Sequence, residues 1–78
     1  MRAKRNQLII TFPSTISAME WETAAKQGCA PGRLIPVPTV ITASCGLAWK
    51  AEPEDRAALA ELARKNELPY EQMVELIL

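Results

Sequence analysis

Apolar positions in this chain fall into blocks of two different periods, separated by proline and glycine. Gln7-Leu-Ile-Ile-Thr-Phe12 is a continuous run rich in branched and aromatic residues, the signature of a strand buried on both faces. Pro13 ends it, because proline cannot donate to a central ladder. Beyond Pro13 the period lengthens. Ala18, Trp21 and Ala25 fall on one stripe with Met19 beside it, while Glu20, Glu22 and Lys26 take the other side, predicting a helix to about Gln27. Ser14 and Thr15 are its candidate N-caps, and Ser17 with Glu20 offers a second capping box. Gly28 is expected to close it in the left-handed conformation.

The second half repeats the alternation. Cys29-Ala-Pro-Gly32 is a turn by composition, and Arg33-Leu-Ile-Pro-Val37 a strand that Pro36 confines to an edge. Pro38 to Ser44 reads as a loop of seven residues, long for a hairpin, whose Val40 and Ile41 are apolar enough to fold back over the core. Gly46-Leu-Ala-Trp-Lys-Ala51 is a third strand. Pro53 then sits in a helical first turn with Glu54 and Asp55 behind it. Leu59 and Leu62, with Ala58 and Ala63, form the apolar stripe of a helix running to about Lys65, and Asn66 is expected to take its left-handed closing position. Tyr70 to Leu78 has residue types that permit a helix. A strand from Met73 to Leu78, paired with the first, gives the two helices a sheet wide enough to cover, and strand is the expectation.

The resulting order, β-α-β-β-α-β, is the ferredoxin-like split βαβ arrangement: an α+β fold with a four-stranded antiparallel sheet and two helices on one face. Its strand order sets the first and third strands side by side in the centre. At 78 residues the chain supports one small domain over residues 1–78, with 1–6 expected to fray. A core of this size is modest, so a homodimer through an edge strand fits it.

Charge narrows the function classes. Nine basic residues balance nine acidic ones, which argues against an extended nucleic-acid surface. Leu8-Ile-Ile10 is too short for a signal-peptide core or a membrane span, so the chain is expected in the cytoplasm, with its two cysteines reduced. Cys29 and Cys45 fit no Cys-x-x-Cys pattern, and without histidine they cannot complete a structural zinc site unaided. Neither a metal nor an organic cofactor is expected.

Cys45 is the candidate for chemistry. Gly46 after it leaves room for backbone approach, and Ser44 before it could hydrogen-bond the sulfur. The predicted topology sets the start of the third strand beside the end of the first, near Phe12-Pro-Ser-Thr15. Helix-entry amides, with Ser14 and Thr15, could there stabilise a thiolate without histidine. Equally, cysteine is among the most buried residue types, and Cys45 could simply pack where strand meets loop. Cys29, in a turn at the far end of the sheet, reads as structural.

Ile10-Thr-Phe-Pro-Ser-Thr15 with Ala18 and Glu22, then Gly32-Arg-Leu-Ile-Pro-Val-Pro38, then Ser44-Cys-Gly-Leu-Ala48 resembles a family of small bacterial proteins, the selenium/sulfur carrier protein-like family. The resemblance spans nearly the whole chain, and its most specific part is the spacing from Ile-Pro-Val-Pro to Cys-Gly. It implies a carrier cysteine, for which only Cys45 matches, and donor and acceptor proteins as partners. Many members have arginine after the second proline, where this chain has Thr39. Two functional readings follow: a carrier, not an autonomous enzyme, that holds sulfur or selenium on Cys45, or a protein-interaction module in which Cys45 is structural.

Overall fold

The structure, a computed structural model, describes residues 5–77. It is organised around β1 (Asn6–Thr11). Leu8, Ile9, Ile10, Thr11 and Phe12 are all fully buried, as the unbroken apolar run requires. Around β1 the sheet runs in the order β2 (Arg33–Pro36), β3 (Leu47–Ala51), β1, β4 (Gln72–Ile77). Every neighbouring pair is antiparallel. This is the ferredoxin-like arrangement, with Pro36 on an edge strand and the C-terminal block a strand beside β1.

Helices α1 (Thr15–Gln27) and α2 (Arg56–Asn66) pack against the face that carries Leu8, Ile10 and Phe12. Trp21, Ala25, Trp49, Leu59 and Ala63 complete that core. Burying each large side chain there stabilises the fold by about 2 kcal/mol before entropy is counted. Phe12 and Trp21 meet with ring centroids 5.5 Å apart, and Tyr70 stands edge-on to Trp21 at 6.1 Å. Ala18 is buried as the stripe predicts, but Met19 is exposed and so is Ala58 on α2. The other face of the sheet carries Gln7, Ile9 and Thr11, opposite Ala48 and Lys50 on one side and Val74 and Leu76 on the other.

Ser14 is the N-cap of α1, its Oγ accepting from the Ser17 amide at 3.1 Å. Ser17 lies inside the helix, buried, rather than capping it. Before α2, Pro53–Asp55 form a single 3₁₀ turn, and the Asp55 carboxylate accepts from the Glu52 amide at 3.1 Å.

The left-handed position after each helix falls one residue later than expected. Gly28 has φ −91°, and the left-handed position belongs to Cys29 at φ 53°. After α2 it belongs to Glu67, at φ 52°, and not to Asn66. Each end is a Schellman motif: Ala30 N donates to Ala25 O and Cys29 N to Lys26 O, while Leu68 N donates to Ala63 O and Glu67 N to Arg64 O. In both, the residue after the left-handed one packs on the core, Ala30 in the first case and Leu68 in the second. That apolar contact sets where the helix stops, overriding the placement of glycine and asparagine.

Of the six residues expected to fray, four lie outside the described residues. Arg5 pairs with Glu52, and Asn6 begins β1 opposite Ile77.

Candidate thiol site

Cys45 follows the loop that joins the two strands of the β2–β3 hairpin. The hairpin ladder runs past the strand ends, with Val37 N donating to Gly46 O at 3.0 Å. The loop beyond turns at Pro38, whose carbonyl accepts from Ile41 N at 3.0 Å. From there it crosses toward the far edge of the sheet. Gln72 shares the helix-free face with its partner Thr11, and its Nε2 donates to Thr42 O at 3.5 Å. The Glu71 carboxylate accepts from Ser44 N at 3.1 Å and from the Ser44 hydroxyl. Glu71 is itself anchored, its amide donating to Thr11 O at 2.6 Å. The loop thus folds back, but toward the helix-free face and not with Val40 and Ile41 on the core: Ile41 is half-buried, and Val40 points outward at 77 % exposure.

Cys45 is half-buried against the core. Its Sγ lies 3.4 Å from Leu47 O and 3.5 Å from Leu47 N. The thiol can donate to the carbonyl, and the Leu47 N–H can donate to sulfur. A Cβ built on Gly46 would meet nothing within 4 Å, so the space beside the sulfur-bearing residue is open. The thiol therefore has one backbone donor at hand, and the backbone next to it at Gly46 is open.

The other predicted residues divide. Thr11 pairs with Ala48, so Cys45 and the entry to α1 do lie at the same end of the sheet. Ser14 Oγ, however, is engaged with the Ser17 amide and, at 3.1 Å, the Ser17 hydroxyl. Thr15 is exposed in the first turn. Among the described residues, neither forms a hydrogen bond with the Cys45 sulfur. Ser44 spends both its amide and its hydroxyl on Glu71, not on that sulfur. Cys29 is at the opposite end of the sheet, at the entry to β2, and both cysteines are free. It is the more exposed thiol and lines a groove of about 510 Å³ between the C-terminal ends of α1 and α2, with Leu62, Lys65 and Asn66.

Glu71 was not legible as a site residue. Its carboxyl is held below the ordinary value of 4.5, first by the Ser44 hydroxyl and then by the Ser44 amide; the Thr11 hydroxyl adds a smaller pull without reaching hydrogen-bond geometry. Thr11 Oγ1 is buried and unpartnered, so the polar groups at this end of the sheet are not all satisfied by one another. Among the described residues, no cluster of three or more histidine, cysteine, aspartate or glutamate side chains could hold a metal ion. Nor is any described helix long and apolar enough to cross a membrane.

No curated protein and no solved structure matches the chain. A family model does, over residues 7–75, which takes in β2, β3, both helices, the Cys45 loop and most of β1 and β4. The chain belongs to the family described as "Putative Se/S carrier protein-like".

Proposed function

We propose that the protein carries a sulfur or selenium atom on Cys45, as a carrier and not as an autonomous enzyme. The observation that supports this best is the setting of Cys45 Sγ, 3.5 Å from the Leu47 N–H with open space beside Gly46. In the loading step the Cys45 thiolate attacks the outer sulfur of a donor persulfide, R–S–SH. The Cys45 S–S bond forms as the donor S–S bond breaks, and the donor leaves as its thiolate. In delivery, an acceptor nucleophile takes the outer sulfur and Cys45 departs as thiolate. A selenium cargo follows the same electron count with selenium as the outer atom. The partners are the donor and acceptor proteins, the compartment is the cytoplasm, where thiols stay reduced, and residues 1–78 act as one domain. An edge-strand homodimer fits this reading. Neither a metal nor an organic cofactor takes part.

Simple alkylation favours whichever thiol is exposed, and Cys29 is the more exposed one. The decisive experiment is therefore site-resolved mass spectrometry after exposure to a persulfide donor. The expected result is one added sulfur on Cys45, retained in Cys29→Ser and lost in Cys45→Ser. Sulfur retained only on Cys29, or on neither residue, overturns the reading.

A second reading has an observation of its own. Val40, at the crest of the loop, is 77 % exposed, more than a purely structural turn requires, and suits contact with a protein partner. On that reading Cys45 only packs. A Val40→Asp change would then abolish a partner complex that Cys45→Ala leaves intact.

A further inference from the structure

We propose that Glu71 is a positioning residue for Cys45: its carboxylate clamps Ser44 and so holds the thiol-bearing loop closed across the end of the sheet. Two hydrogen bonds from one residue converge on this carboxylate, from Ser44 N and Ser44 Oγ. The clamp is fixed at its other end, because the Glu71 amide is bound to Thr11 O at 2.6 Å on the central strand. Gln72 adds a weaker tie to Thr42 at 3.5 Å. Residues 71 and 72 thus supply the ties between the loop and the far side of the sheet, and Ser44, the residue they grip hardest, immediately precedes Cys45. Beneath the loop lies Thr11, fully buried with an unpartnered hydroxyl, which opening of the clamp would let water reach. With the clamp closed, Cys45 stays half-buried against the core. With it open, the Val37–Gly46 ladder, the weak contacts of the sulfur with Leu47 and the tie from Gln72 to Thr42 remain, and the sulfur is freer to swing toward solvent. The clamp stands on geometry alone; that Cys45 is the working thiol rests on the carrier reading.

Protonation works the clamp as well as mutation does. The loop from Pro38 to Cys45 carries no titratable side chain but Cys45 itself, the end of β1 and the first turn of α1 carry none, and on its own segment Glu71 is flanked by Tyr70 and, further along, Glu75. The Ser44 donors hold the Glu71 carboxyl below its ordinary value. A carboxyl whose folded value is lowered stabilises the closed form above the unfolded value. That contribution is lost as pH falls through the folded one.

The test measures the rate of Cys45 modification by a disulfide reagent that stays reactive in mild acid, such as 2,2′-dithiodipyridine, in a Cys29→Ser background. Hydrogen exchange of the Ser44 amide is followed in the same proteins. At neutral pH Glu71→Ala should react about five-fold faster than the parent, the opening expected for loss of two modest hydrogen bonds. Ser44 amide protection should fall with it. The ratio should shrink toward one as pH drops below 4.5, because the parent then releases its own clamp. Glu71→Gln keeps one acceptor and should fall between the two. Removing a negative charge near the thiol would instead make Gln and Ala equivalent and leave Ser44 exchange unchanged. If Glu71→Ala does not fold, Ser44→Ala loosens the clamp from the loop side and should accelerate Cys45 by about two-fold. A Cys45 rate unchanged by these substitutions, or a rate change without faster Ser44 exchange, overturns the proposal. Neither result bears on whether Cys45 retains sulfur, so the clamp and the carrier can fail separately.

Discussion

At the scale of single residues, the open space at Gly46 separates two roles that usually coincide. Glycine beside a reactive group is often required by backbone conformation. Here the only glycine with positive φ is Gly32, where a Cβ would lie 2.6 Å from Lys50 O and against the Trp49 indole. Gly46 has no such demand on it. Gly46→Ala is therefore expected to change stability by less than about 0.5 kcal/mol while slowing sulfur uptake on Cys45. A urea titration and a loading time course on the same protein check the two halves, and unchanged uptake would mean that the space serves no transfer. Cys45 and Gly46 could be singled out as candidates in the sequence because they match the most specific part of the family resemblance. Glu71 was not, since it meets Ser44 across 27 positions and a glutamate before a strand looks like solvated surface. Ser14 was legible as a cap; its supposed service to the thiolate came from topology, which brings the helix entry to the same end of the sheet but joins no side chain to the sulfur.

At the scale of elements, the alternation of periods told strand from helix up to the final block; that block, where residue types permitted either, was assigned by the sheet width that two helices need, and it is a strand. The edge position of β2 followed from Pro36 and the burial of β1 from its unbroken apolar run. What the period could not locate was the left-handed residue that follows each helix. The stop is set by Ala30 and Leu68 docking on the core, and this docking forces Cys29 and Glu67 into a conformation that costs a side-chain-bearing residue about 1–2 kcal/mol. Glu67→Gly should relieve that strain and raise stability by about 1 kcal/mol, seen as a higher urea midpoint at unchanged slope. The same change at Asn66, inside the helix, should lower stability instead, because glycine is a poor helix former there.

At the scale of the whole molecule, the fold is a sheet whose central strand comes first in the chain and whose last partner comes late. β1 pairs with β3 from Leu8 to Ala51 and with β4 from Asn6 to Ile77. Removal of residues 70–78 is expected to leave β1 with one bare edge and to abolish the cooperative thermal transition, read by circular dichroism, with aggregation read by light scattering. The same pairing has a consequence in time. Leu8, Ile9 and Ile10 are made some sixty residues before the chain that shields one of their flanks. Closing so long a segment is slow by comparison with local helix formation. Until that segment has emerged β1 is thus an exposed β-template on one flank, and the yield in a cell should depend on what attends the nascent chain as much as on the stability of the finished sheet.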